Sequence, residues 1–235
     1  MIRDFTVSVV IPAYNEEILL PECLDALRRQ SYQPDEIIVV DNNSSDATSA
    51  IAASFGARVI PEKRQGIAYA RTAGFNAAQG DIIIRTDADC IALPDFIEMM
   101  VNNFRRDPDV QGVVGEVIIK EWYRRVPWFA CHIPPLSQAY YRMMFRGKVL
   151  IGARMALRKD FWHQIAPFIE SKPGLTNEDI HVSQVANQYG KIVYDKSARV
   201  ICELRDTMKP RKMIRYLIDD ARVASRSVKR KKVKQ

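Results

Sequence analysis

The chain opens on an apolar run, Val7 to Pro12 (VSVVIP), rich in β-branched side chains. Such a run fits a strand covered on both faces, as in a parallel sheet. Glu17 to Arg29 then carries Leu20, Leu24 and Leu27 at helical spacing. The alternation repeats. Glu36 to Val40 (EIIVV) predicts a second buried strand, and Ala47 to Phe55 a helix stopped by Gly56. Ala57 to Ile60 predicts a short third strand, Gly66 to Ala78 a helix stopped by Gly80, and Asp81 to Arg85 (DIIIR) a fourth strand. Strands separated by helices imply right-handed crossovers and an α/β fold with a Rossmann-like, mostly parallel sheet flanked by helices.

The second half is less regular. Pro94 to Phe104 predicts a helix, Val110 to Ile119 a strand, Val149 to Leu157 another strand, Ile180 to Tyr189 a helix and Lys191 to Tyr194 a short strand. Residues 121–147 are aromatic and basic, carry Pro127, Pro134 and Pro135, and take no regular assignment.

In open α/β sheets, ligands bind beyond the carboxyl ends of the strands. Three polar clusters fall at such ends: Ala13 to Glu17, Asp41 to Asp46, and Thr86 to Asp89. They are distant in sequence and converge on one rim.

Composition changes this picture little. A chain of 235 residues suffices for one α/β domain, or one domain with a small appendage. The longest apolar runs fall short of the roughly 18 residues of a membrane span, and the N-terminus lacks a secretory signal pattern. An intracellular protein is expected. Cys23, Cys90, Cys131 and Cys202 are far apart with no CxxC pair, so free thiols are expected rather than a disulfide or a zinc site.

Charge sharpens one boundary. The net charge is +7, but residues 199–235 hold 13 Lys/Arg against four Asp/Glu, whereas the rest is slightly acidic. Residues 211–228 predict a helix with Met213, Ile214, Leu217, Ile218 and Ala221 on one face and arginines and a lysine around the other. It either lies on an anionic membrane surface or packs on the domain. The acidic body and the lack of a nucleic-acid-binding motif argue against a nucleic-acid partner. The expected organisation is one domain over 1–205 and a basic amphipathic helix and tail over 206–235.

Asp87 and Asp89 (RTDADC) follow the fourth strand directly. Carboxylates two residues apart in extended chain point the same way, and their repulsion calls for a compensating cation. Mg²⁺ and Mn²⁺ take such oxygen ligands and share them with substrate phosphates. The alternative is a solvated loop. Asp41 is a turn aspartate or an acceptor for a base N–H. Glu178 and Asp179 are first-turn helix acids or the seat of a general base. His132, His163 and His181 show no metal spacing. Trp122, Trp128, Tyr140 and Tyr141 stack on sugars or pack a core.

Taken together, VSVVIPAYNEE, DEIIVVDNNSSDAT, RQGIAYARTAGFNAAQGDIIIRTDADC, IGARMALRKDFW and TNEDIHVSQVANQYGKIVY resemble the family-2 glycosyltransferases of GT-A fold. The match is continuous over about residues 5–105, which corresponds to the nucleotide-sugar half, and patchier over 106–205, the acceptor half. The resemblance implies an inverting, hexosyltransferase-type enzyme with a nucleotide-sugar donor, a UDP-sugar first. It implies a glycan or lipid-linked acceptor, Mn²⁺ or Mg²⁺, and a place in the cytoplasm or at the inner face of the cell membrane. It also implies roles. Pro12, Ala13, Tyr14 and Glu16 line the nucleoside pocket, and Asp41 binds the base. Arg64, Gly66 and Arg71 border the ribose and diphosphate. Asp87, Ala88 and Asp89 meet ribose and metal, with Asp87 and Asp89 as ligands. Asp179 is the catalytic base, and Glu178 orients the acceptor or its loop. The chain departs from the family at Thr72, where many members have Asn. It also lacks the Gln-x-x-Arg-Trp motif of processive members, which points to single transfers. The alternatives are a nucleotidyltransferase, which typically shows a Gly-rich phosphate loop near the N-terminus where this chain has PAYNEE, and an inactive sugar-nucleotide binder, against which the intact Asp87, Asp89 and Asp179 argue.

Overall fold

The computed structural model describes residues 5–120, 150, 152–169 and 178–202. The first half alternates as the apolar pattern predicts: β1 (Val7–Ala13), α1 (Leu20–Arg28), β2 (Glu36–Asp41), α2 (Thr48–Ser54), β3 (Arg58–Pro61), α3 (Ile67–Ala77) and β4 (Ile82–Arg85). There follow β5 (Cys90–Ala92), α4 (Phe96–Arg106), β6 (Val110–Ile119), β7 (Met155–Arg158), α5 (Lys159–Ile165), α6 (Glu178–Tyr189) and β8 (Lys191–Cys202), with 3₁₀ turns at Gly152–Arg154 and Ala166–Phe168.

The eight described strands form one sheet, ordered β3-β2-β1-β4-β7-β6-β8-β5. β3, β2, β1 and β4 run parallel. β7 is antiparallel to β4 and β6, β8 is parallel to β6, and β5 is antiparallel to β8. The central strands are mostly apolar because helices cover both faces. Val7, Val9, Ile11, Ile82 and Ile84 face α1 and α4. Val10 and Ile83, one residue out of phase, face α3, α5 and α6. α4 shows how a helix fits this surface: Phe96, Ile97, Met100, Val101 and Phe104 form its buried stripe.

Three sequence expectations are corrected. The apolar pattern gives neither β5 nor α5; β5 is only three residues long, too short to show a period. The predicted strand from Val149 begins at Met155, because Gly152–Arg154 turns as a 3₁₀ helix. β8 extends eight residues beyond Tyr194. Its register to β6 jumps from Val114↔Tyr194 to Glu116↔Arg199, so the intervening polar residues leave the ladder. Asp195 there accepts bonds from the Ser197 N–H and Oγ at 2.8 and 2.5 Å.

The cysteine expectation also fails at one pair. Antiparallel pairing of β5 and β8 sets Cys90 opposite Cys202, and the two form a disulfide, Cα–Cα 4.3 Å, across 112 residues of sequence. Cys23 is a buried free thiol, while Cys131 lies outside the described residues, as do residues 121–147 and the basic helix expected over 211–228.

The topology positions a site. β1, β2 and β4 end on the same edge, with Ala13 opposite Asp41 and Arg85 opposite Val10. Because β7 runs against β4, Met155 stands opposite Arg85, which delivers the Gly152–Arg154 turn to that edge too.

Candidate active site

The β1–α1 and β2–α2 loops are fastened to each other before any ligand arrives. Asn15 and Asn43 take left-handed conformations, φ 54° and 67°, which asparagine tolerates better than most residues. The Asn15 N–H donates to Ser44 Oγ at 3.0 Å, and Asn15 Oδ1 accepts the Ser45 N–H at 2.9 Å. The Glu16 N–H donates to Thr48 Oγ1 at 2.7 Å, and Glu17 Oε2 accepts the Ala47 N–H at 3.0 Å.

Beside these loops lies a cleft of about 470 Å³. Pro12, Ala13, Tyr14 and Glu16 line it from the end of β1, Gly66 from the start of α3, and Asp87, Ala88 and Asp89 from the end of β4. Eight of the sequence candidates are thus brought together. Gly66 holds φ 141°, a conformation side-chain-bearing residues rarely adopt. The first turn of α3 opens on the cleft, where the helix dipole favours an anion.

Asp41, Arg64 and Arg71 are not among the lining residues. Asp41 Oδ1 accepts the Ser44 N–H at 3.1 Å, shaping the turn. Arg64 turns to Glu62, with Nε–Oε1 at 3.0 Å and Nη2–Oε2 at 2.8 Å, and lies over the Tyr69 ring. That hydrogen-bonded pairing holds the Glu62 carboxyl below its usual range. Arg71 is fully buried, set over the Trp162 ring with Nη2 3.3 Å from Thr72 Oγ1.

Asn42, with no sequence signal beyond its place after Asp41, lines the cleft. Its Nδ2 donates to the carbonyls of Glu62 and Arg64 at 2.9 and 2.8 Å, and its Oδ1 accepts the Gly66 N–H at 2.8 Å. One buried amide therefore fixes the segment leading into α3.

At the β4 end, Arg85 joins two of the candidate acids. Nη2 lies 3.2 Å from Asp87 Oδ1, and Nη1 lies 2.9 Å from Asp179 Oδ1. The Gly152 N–H donates to Asp179 Oδ2 at 2.8 Å. Ser183 Oγ donates to the Asp179 carbonyl at 2.5 Å and accepts the Leu150 N–H at 2.8 Å. Glu178 begins α6; the role expected of its side chain lies outside the described residues. Desolvation raises the Asp87 carboxyl above its ordinary value, with Arg85 opposing and Asp179 adding to the rise. Burial likewise pushes up the Cys23 thiol, and Asp87, Asp89 and Glu16 add to it.

Among the described residues, no three His, Cys, Asp or Glu side chains form a metal cluster. Asp87 and Asp89 open on one cleft as two hard oxygen donors. That set fits Mg²⁺ or Mn²⁺ completing its shell with phosphate oxygens and water, and does not fit a closed all-protein site.

Residues 8–164 match the family model described as Glycosyl transferase family 2. A glucosyl-dolichyl phosphate glucuronosyltransferase of Haloferax volcanii is 29% identical over 217 residues, covering 83% of this chain and 68% of its own. An undecaprenyl-phosphate 4-deoxy-4-formamido-L-arabinose transferase of Serratia proteamaculans is 39% identical over 129 residues, covering 51% of this chain and 40% of its own. The chain thus spans less than half of that relative. Glucosyl-3-phosphoglycerate synthase of Mycobacterium tuberculosis, solved with Mn²⁺, UDP and glucosyl-3-phosphoglycerate, superposes with TM-score 0.70 at 21% identity, over 94% of this chain and 80% of its own. A mannosyltransferase of Pyrobaculum calidifontis, solved with GDP-Man and Mn²⁺, gives 0.70 at 20% identity, over 96% and 66%. The shared architecture is the GT-A fold.

Proposed function

Because the chain belongs to glycosyl transferase family 2 and is by that membership a glycosyltransferase, we propose that it transfers a sugar from a nucleoside-diphosphate donor to an acceptor hydroxyl, inverting the anomeric carbon. The observation that carries this reading is one cleft lined by Asp87 and Asp89, with Asp179 joined to Asp87 through Arg85. A UDP-sugar is the first donor to test, supported by the UDP complex of the M. tuberculosis structure. A lipid-linked acceptor is supported by the polyprenyl-phosphate names of two relatives.

In this reading Pro12, Ala13, Tyr14 and Glu16 receive the nucleoside, and Gly66 and the first turn of α3 face the diphosphate. Asp41 and Arg71 act from behind the lining. Asp87 and Asp89 would hold a divalent cation, which when bound neutralises the diphosphate as a leaving group. Asp179 takes the proton of the acceptor hydroxyl. The hydroxyl oxygen bonds to the anomeric carbon as the bond from that carbon to the donor phosphate oxygen breaks. The bonding pair leaves with the nucleoside diphosphate, and attack from the opposite face inverts the centre.

The test is UDP release from UDP-sugars with Mn²⁺. EDTA should abolish it and Mn²⁺ or Mg²⁺ restore it, and Asp179→Asn should lower kcat by about 1,000-fold. Near-normal turnover in that variant would sink the reading. No described helix is long and apolar enough to cross a membrane. Attachment through residues 211–235 remains part of the proposal, and liposome flotation of the full and truncated chains tests it: equal flotation removes it.

A further inference from the structure

Arg85 ends β4 with a side chain only 3% exposed. A buried guanidinium is costly unless its bonds are made, and here two of them go to acids from different ends of the site. Its planar fork fixes the relative direction of those bonds, which a lysine ammonium does not do. The seat is tight. A Cβ built on Gly152 would stand 2.3 Å from Arg85 Cζ and 2.4 and 2.6 Å from Nη2 and Nη1. The same glycine donates its N–H to the second oxygen of Asp179. Each Asp179 oxygen is therefore held, one by Arg85 and one by the Gly152 backbone.

We propose that Arg85 is a positioning residue that, with Gly152, aims the Asp179 carboxylate relative to Asp87. This rests on the reading of Asp179 as the base. A residue that merely neutralised two acids would be replaceable by any cation, whereas the fork is not.

The experiment compares Arg85→Lys, Arg85→Gln, Asp179→Asn and the double variant Arg85→Lys/Asp179→Asn. It reads UDP release from UDP-glucose with Mn²⁺, calorimetric affinity for UDP with Mn²⁺, and the crystal structure of Arg85→Gln. Both single Arg85 variants should lose about a hundredfold in kcat while UDP affinity stays within about fivefold. Added to Asp179→Asn, Arg85→Lys should cost less than about threefold more. In the Arg85→Gln crystal the Asp179 carboxylate should leave its place, a readout independent of any donor. Three results would each overturn the role: Arg85→Lys turning over normally, its full loss persisting in the double variant, or an unmoved Asp179 carboxylate. Normal turnover in Asp179→Asn alone would instead remove the base, and the positioning role with it.

Discussion

Residues 5–89 and residues 150–202 build two sides of one site by different means. In the first, three parallel strands end on a common edge and loops 29 to 32 residues apart fasten one another. In the second, Asp179 is oriented by Arg85, 94 residues away, and by Gly152, 27 residues away. Sheet direction there reverses twice around β7, and β8 carries a register shift. The proposed donor side is a run of βα units whose geometry follows from strand pairing. The side that holds the proposed base is tied to β4 by Arg85, 94 residues from Asp179, and to β5 by a disulfide across 112 residues, so single cuts should act on it non-locally.

The disulfide offers the largest such cut. Reducing Cys90–Cys202, which ties β8 to the strand just after Asp89, should cost about 2–4 kcal/mol and roughly 4–16 °C of Tm. Hydrogen exchange should show β8 losing protection before β1 and β2. Equal loss across the sheet would break the contrast. Cys202→Ser should reproduce the shift and be insensitive to reductant.

On the donor side the corresponding cut is local. Asn42→Ala removes three bonds to the segment before α3 and leaves buried backbone groups unmet, at about 2–3 kcal/mol. UDP affinity should fall by about tenfold, with β8 protection unchanged. A loss of β8 protection would show the two sides to be one cooperative unit.

The smallest effect belongs to Asp81, at the opposite edge of the sheet. Hydrogen bonds from the Thr6 N–H and Oγ at 2.8 and 2.7 Å hold its carboxyl below the ordinary range. A depressed carboxyl stabilises the fold above its unfolded pKa of about 3.9, and that stability is lost as pH falls through the folded value. Asp81→Asn should therefore cost at most about 1 kcal/mol at pH 7, since the group is exposed. The gap to the wild type should close below about pH 4. A gap independent of pH would assign the loss to packing.

Legibility in the sequence follows the same division. β1, β2 and β4 show as apolar runs because helices cover both sheet faces, and Asp87 and Asp89 follow from the end of a buried strand. Asp179 stands out through a motif, not through periodicity. Arg85 is visible only as a residue before Asp87; its second partner, Asp179, is remote, and no local pattern marks a buried cation. Gly152 looks like any small residue until a guanidinium is placed against it. Cys90 and Cys202 meet only because β5 reverses against β8, a pairing hidden by a three-residue strand and a shifted register.

In the proposed reaction the donor is held at Asp87 and Asp89 and the proton is accepted at a separate end, Asp179. Titration calorimetry of UDP in the presence of Mn²⁺ tests it most directly, on the wild type, Asp89→Asn and Asp179→Asn. Asp89→Asn should weaken UDP by at least about tenfold, while Asp179→Asn should stay within about threefold of the wild type. Equal weakening in both variants, or in neither, would contradict it.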